Sequence, residues 1–398
     1  MQAKATPAVT LQGRFAFSPT GLLGEGCAAK VYEGKDLKCG KAVAVKIYKD
    51  TGRMCLHCLK NCIHVSGALQ KARVQGERLT HRGLFVELLG SSLDSSGAPG
   101  IEGGRLFSIL ELGGESLEDA LGNRYSHGKS GFPLTELRDL HWSLVSIVNR
   151  LHSLRLVHLD IKPSNLVRFH DGGKSQWKLI DLDCVTSTEA VSRFGDITFT
   201  MPYMAPELAR KYLQAGPGRA QHCPVILTSA MDLWSAGVCA LEAVVLSSPL
   251  TERYLKLQQS GDNEFLTWLS CEEPLLSNEV MDVLANVHPE MQSLLAGMLI
   301  KDPASRFHVR DCIMHQFFKP IRAEVQTSPS RSRSMQLPDH PGRANCRVSG
   351  VKDARLMTER PKLAQLPSLP KAKLESSARR PSQSEMRTTS SSCVNMRG

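Results

Sequence analysis

The hydrophobic pattern of this chain changes period once, at Gly113-Gly114, and that switch restricts the possible folds more than any other feature. Before it, short β-branched and apolar runs are separated by glycine, serine and proline turns. They predict strands over 20–26, 29–32, 42–48 (A-V-A-V-K-I-Y), 84–89 and 105–112 (R-L-F-S-I-L-E-L), with a helix over about 66–79. After it, Leu137, Leu140, Leu144, Ile147, Val148, Leu151 and Leu154 recur at three- and four-residue steps. That spacing is the apolar stripe of one helix of about 20 residues. Helical patterns return over 230–246 and 289–299. A strand-rich part followed by a helix-rich part predicts an α+β fold of two lobes.

Residues 321–398 differ in kind. They hold 15 Lys and Arg against 6 Asp and Glu, so +9 of the chain's +10 lies there, and the rest is nearly neutral at 34 against 33. They contain no Phe, Trp or Tyr and are rich in Ser, Pro and Arg. Such a stretch buries too little apolar surface to offset the entropy of ordering its backbone, so a disordered basic tail is expected. A solvated regulatory tail is preferred to a nucleic-acid or acidic-lipid tether, so no nucleic-acid partner is expected. No apolar run approaches the length of a membrane span, since 231–246 is interrupted by Asp232 and Glu242. Residues 1–20 lack the apolar core of a secretory signal, so the 12 cysteines are expected as reduced thiols in the cytoplasm or nucleus.

Three stretches carry polar chemistry. Gly24-Glu25-Gly26 lies between two strand-type runs, where the absence of Cβ lets backbone N–H groups approach phosphate oxygens. Val43-Ala44-Val45-Lys46 follows on a strand, and a cation opposite a phosphate loop is a plausible phosphate ligand. After the long helix comes His158-Leu159-Asp160-Ile161-Lys162-Pro163-Ser164-Asn165, then Leu179-Ile180-Asp181-Leu182-Asp183 at the end of an apolar strand. Phosphoryl transfer needs such a set: a carboxylate for the hydroxyl proton, a cation for the developing charge, and oxygen ligands for Mg²⁺.

These residues, in this order, resemble the eukaryotic protein kinase family, serine/threonine type, over about 17–320. The resemblance implies an N-lobe over 17–112 and a C-lobe over 113–320, preceded by an extension over 1–16. It implies ATP and Mg²⁺ as cofactors and protein substrates carrying Ser or Thr, and it is silent on oligomeric state. Leu23, Gly24, Gly26 and Val31 would border the nucleotide, and Lys46, held by Glu77 of a following helix, would meet the α/β-phosphates. Leu110 precedes the hinge, Glu111 to Gly113 and Gly114 would meet adenine, and Glu115 the ribose. Asp160 would position the acceptor hydroxyl, Lys162 would contact the γ-phosphate, and Asn165 and Asp181 would hold the metal. Ala205-Pro206-Glu207, Asp232-Leu233-Trp234 and Arg306 complete the resemblance, with Arg306 pairing Glu207. Lys162 and Thr200 favour Ser/Thr over Tyr acceptors.

Three residues depart from the family pattern, Leu159, Leu182 and Asp183, of which Leu182 is an apolar exchange for Phe. Leu159 replaces the catalytic-loop Arg, which removes one receiver for a phosphate on the activation segment. Asp183 stands where the pattern has Gly, and a strained backbone there is expected. Together they keep an ATP-binding scaffold without catalysis as the alternative function. Cys55, His57, Cys58, Cys62 and His64 could suit a tetrahedral metal, but three cysteines on one helix face read first as small hydrophobes.

Overall fold

The computed structural model describes residues 9–74, 83–94, 98, 100, 104–126, 131–171, 173–188, 191–216 and 219–327. A six-stranded antiparallel sheet comes first, ordered β1-β2-β3-β4-β6-β5. Its strands are β1 Val9–Leu11, β2 Phe15–Glu25, β3 Ala29–Asp36, β4 Ala42–Tyr48, β5 Leu88–Ser91 and β6 Phe107–Glu111. The sheet therefore takes in residues that the sequence placed in an extension before 17, and Leu11 and Phe15 are buried in it. The strand expected over 84–89 lies later, at β5, and Phe85 makes only an isolated parallel bridge to Leu179.

Strand period decides what each face of β4 does. Val43 and Val45 point into an apolar layer with Phe15, Phe17, Phe107 and Ile109. Ala44, Lys46 and Tyr48 point the other way, toward helix α1, Arg53–Val74. This helix starts thirteen residues before the expected 66, because the 53–65 stretch has an apolar face of its own. Cys55, Leu59, Cys62 and Val65 are all buried along it. Burial pushes the Cys58 and Cys62 thiols up to about 12, so both stay protonated and pack as small apolar groups.

The second lobe is helical. α2 Leu117–Ser126 and α3 Leu134–Ser153 lead to β7 Leu156–Val157 and to the hairpin of β8 Leu166–Asp171 and β9 Lys174–Leu179. β10 Thr186–Ser187 pairs with β7, and β11 Val191–Arg193 pairs with β12 Pro224–Ile226. α4 Pro206–Ala215 and α5 Ser229–Val245 precede α6 Pro249–Gln258, α7 Asp262–Ser270, α8 Asn278–Val287, α9 Pro289–Met298, α10 Val309–Met314 and α11 Lys319–Thr327. α11 carries the folded part past 320, and Arg322 Nη1 donates to the carbonyls of Ile313 and His315. The remainder of the expected tail lies outside the described residues. Among the described residues no single helix is long and apolar enough to cross a membrane; the most apolar, α5, is buried inside this lobe.

Two buried polar contacts brace the helical lobe. Arg306 holds Glu207 in a fork, Nη1 to Oε1 at 2.9 Å and Nη2 to Oε2 at 2.8 Å, which ties the start of α4 to the chain after α9. Glu242, on α5, accepts the Tyr203 hydroxyl at 3.1 and 3.3 Å. Burial pushes the Glu242 carboxyl up to about 8. Between the ordinary carboxylate range and pH 8 the native state thus holds a proton that the unfolded chain has lost, and stability falls as pH rises through that window. Glu242→Gln keeps an acceptor for Tyr203 without a charge. Urea unfolding should find it close to wild type near pH 5 and increasingly more stable toward pH 8. A wild-type stability profile no steeper than the variant's would overturn this account.

Candidate active site

The cleft between the lobes collects the polar residues singled out in the sequence. Asp181 follows β9 by two residues, and its backbone is left-handed, with φ 62° and ψ 66°. The strain expected at Asp183 therefore falls at Asp181 instead. Asp183 sits in the 3-10 turn Leu182–Cys184, has no positive φ, and needs no glycine-like freedom. Lys46 Nζ lies 2.6 Å from Asp181 Oδ1 and 2.9 Å from Asp183 Oδ2. Burial by itself would lower the Lys46 pKa, but the carboxylates of Asp181 and Asp183 outweigh it and hold the pKa well above its ordinary value. Burial pushes Asp183 up, to about 6, against the pull of Lys46.

A second cluster forms around Asp160. Thr200 Oγ1 donates to Asp160 Oδ1 at 2.6 Å, and Lys162 Nζ donates to Thr200 Oγ1 at 3.0 Å. Lys162 Nζ also reaches Asp160 Oδ2 at 2.9 Å. Asn165 Nδ2 donates to the Asp160 carbonyl at 2.9 Å, which turns its amide oxygen toward another partner. The two clusters are joined by His158. Its Nδ1 accepts the Asp160 N–H at 3.3 Å, so the ring proton sits on Nε2, which donates to the Asp181 carbonyl at 3.0 Å.

What holds this loop is Asp232 of α5, whose side chain is fully buried. Its Oδ2 accepts the His158 N–H and its Oδ1 the Leu159 N–H, both at 2.8 Å. That grip leaves Leu159 left-handed, with φ 65°, a conformation costing roughly 1–2 kcal/mol for a non-glycine residue. The Leu159 side chain is buried in the helical-lobe core, where a charged guanidinium would need a partner.

The nucleotide-side residues are placed as follows. Gly24 pairs with Val31 and Val31 with Lys46, so the three lie across neighbouring strands. A Cβ on Gly24 would meet nothing within 4 Å, and neither Gly24 nor Gly26 has a positive φ. Nothing inside the protein demands glycine at 24, whereas close approach by a ligand would. Leu23 is exposed beside it, and Leu110 is buried opposite Ala44. The Glu111 carboxylate is engaged by Lys178 and by the Glu87 N–H. A Cβ on Gly113 would collide with Val167 and Phe169, so this glycine is required by packing of the hinge on β8. The Glu115 carbonyl accepts the Arg168 N–H at 2.9 Å, and its carboxylate is half-exposed. Glu77 lies outside the described residues.

The donor set fits a hard cation such as Mg²⁺. Asp181 has one oxygen on Lys46 and a side chain 39% exposed, and Asn165 offers its amide oxygen. The cysteine–histidine stretch does not offer a comparable set, and among the described residues no group of three or more His, Cys, Asp or Glu is arranged to hold a metal ion. Sequence reasoning missed Tyr48 and Asn61. Tyr48 Oη donates to Asp183 Oδ1 at 3.3 Å, and Asn61 Nδ2 donates to the carbonyls of Asp183 and Val185 at 2.8 and 2.6 Å. Tyr48 was accessible to strand period, being two residues beyond Lys46 on the same face. Nothing in the sequence marked Asn61.

Comparison with known proteins agrees with this geometry. A family model described as "Protein kinase domain" matches residues 17–318. "CBL-interacting protein kinase 16" of Oryza sativa subsp. japonica is 25% identical over 333 residues, 80% of this chain and 60% of that protein. "Serine/threonine-protein kinase PKZ1" of Phytophthora infestans is 26% identical over 258 residues, 61% of this chain and 58% of that protein. "Mitogen-activated protein kinase 12" of Danio rerio is 23% identical over 220 residues, 50% of this chain and 56% of that protein. The matches thus span roughly three fifths of these relatives' length.

Asp232→Ala should leave two buried N–H groups without acceptors, at about 1–3 kcal/mol each. The expected result is a lowered melting temperature together with faster amide exchange at His158 and Leu159. Unchanged exchange at those two amides would show that Asp232 does not hold the loop.

Proposed function

Because this chain belongs to the protein kinase family, we propose that it is an active serine/threonine kinase moving the γ-phosphate of ATP onto protein hydroxyls. The observation that carries this reading is the closed set of contacts among Asp160, Lys162 and Thr200, in which a threonine hydroxyl already rests on Asp160 at 2.6 Å. In the mechanism that this supports, Asp160 orients the acceptor hydroxyl and takes its proton as oxygen bonds to phosphorus and the bond to the ADP oxygen breaks. Lys162 presents positive charge where the transferred group gathers negative charge. Lys46 meets the α/β-phosphates, while Leu23, Gly24, Gly26 and Val31 border the nucleotide and the hinge from Leu110 to Glu115 receives its base and ribose. Asp181 and Asn165 would hold Mg²⁺, which when bound neutralises phosphate charge.

One observation favours the scaffold alternative: Lys46 is bonded to two carboxylates, with which a phosphate must compete. Asp160→Asn separates the readings, since Asp160 acts on the acceptor and not on the nucleotide. Phosphoryl transfer from Mg²⁺-ATP to a degenerate Ser/Thr peptide library should fall by about 10²-fold or more in the variant, with ATP-dependent thermal stabilisation kept. Wild-type protein stabilised by ATP but inert toward every peptide would support the scaffold.

The activation segment is held by packing that needs no phosphate. β11 is laddered to β12, and Phe194, Ile197 and Phe199 are buried, with Phe194 edge-on to Phe199 and Tyr212. With Leu159 in place of an arginine, the cation that the family pattern sets there to meet an activation-segment phosphate is missing. Alanine at Thr186, Ser187, Thr188, Ser192 and Thr198 together should keep turnover within about threefold. A loss beyond tenfold, reversed by acidic residues at the same positions, would show a phosphate switch.

A further inference from the structure

We propose that Asp183 is the carboxylate that positions Lys46, a task the family resemblance gives to Glu77. The inference rests on the reading that this cleft takes ATP. Three observations lead to it. First, Asp183 Oδ2 lies 2.9 Å from Lys46 Nζ, and the Asp183 side chain is only 5% exposed, so the pair is a fixed buried contact. Second, α1 is the helix packed against the 182–184 turn, and its 22 residues include no Asp or Glu at all. Where a carboxylate from the helix would have to enter, α1 presents Asn61, Cys58 and the buried Cys62.

Third, Asp183 is held from two further sides. Tyr48 Oη donates to its Oδ1, and the Asn61 amide fixes its own carbonyl and that of Val185. Lys46 and Tyr48 share one face of β4, so a single carboxylate from the turn after Asp181 braces that face at two points. Asp181 also touches Lys46, but its side chain is 39% exposed and faces the cleft, where a metal and phosphates would draw on it. Asp183 is enclosed and has no such competing task.

The arrangement moves a link from one element to another. When a helix supplies the partner of the lysine, shifting the helix breaks the pair. Here the pair joins β4 to the turn that also carries Asp181, and α1 touches that turn through a neutral amide. The lysine and the metal-side carboxylate are therefore set by one short segment, residues 181–183. Asp183 acts through Lys46 and is a positioning residue, not a group that meets substrate.

The test compares Asp183→Asn with Glu77→Gln in the full chain. Asparagine preserves volume and can keep an acceptor oxygen on Tyr48, while it removes the charge and turns the acceptor that faces Lys46 into an N–H donor. Binding of a methylanthraniloyl derivative of ATP with Mg²⁺, kcat and KM for ATP, and melting temperature without nucleotide are measured for both. Asp183→Asn should lose about tenfold in nucleotide affinity and about 10²-fold in kcat, while its nucleotide-free melting temperature stays near wild type. Glu77→Gln should lose less than about threefold in nucleotide affinity and in kcat. Wild-type affinity and kcat in Asp183→Asn would overturn the proposal. So would a tenfold loss of nucleotide affinity in Glu77→Gln, a result that decides the matter even if Asp183→Asn fails to fold. Wild-type protein that binds the nucleotide without turnover would sink the kinase reading alone, and the affinity comparison would still decide the role of Asp183.

Discussion

The site depends first on a carboxylate that does no chemistry. Asp232 is buried in the first turn of the apolar helix α5 and spends both oxygens on consecutive backbone N–H groups, those of His158 and Leu159. A buried charge is tolerable only where hydrogen bonds replace its water, and here they come from the loop that must be fixed. Those bonds hold Leu159 in a left-handed conformation that its own side chain disfavours. His158 and Asp160 then follow in fixed orientation, and His158 passes the constraint on to the Asp181 carbonyl. One interaction in the core of the helical lobe thus sets both carboxylates on the floor of the cleft.

The departures from the family pattern make physical sense as a group. The Leu159 position is buried, and a leucine there joins the core instead of waiting for a phosphate. The activation segment, correspondingly, is tied down by a β-ladder and buried aromatics. Replacing Gly by Asp183 costs no backbone strain, because the strained residue is Asp181. The new carboxylate finds a lysine, a tyrosine hydroxyl and a turn pinned by an asparagine. The same ladder leaves Val191 and Ile226 exposed at 70% and 60%, which marks that edge as surface and not as core.

Much of this was legible in the chain. The alternation in 42–48 placed Lys46 on the opposite face from Val43 and Val45, and the stripe from Leu137 to Leu154 matched α3 within a few residues. Apolar periodicity survives folding because it records which face loses water. The boundaries read least well were those where local patterns conflict with pairing. Residues 84–87 look like a strand but have no full ladder, and Val9–Leu11 is too short to announce itself without β2 beside it. The early turns of α1 were marked only by cysteines and histidines, which read first as small hydrophobes and second as metal ligands.

The sequence by itself determined the two-lobed α+β architecture, the order of the polar stretches and, among the described residues, the charged groups Lys46, Asp160, Lys162, Asp181 and Asp183 of the cleft. These follow from hydrophobic period and from residue types at short spacing, both of which are local properties. Only the tertiary structure decided which charge meets which. Lys46 and Asp183 are 137 positions apart, Asn61 and Asp183 are 122 apart, and His158 and Asp232 are 74 apart. No periodicity encodes a contact across such distances. A buried cation takes whichever carboxylate the packing brings within about 3 Å, because an unpaired charge costs more there than any local preference can supply.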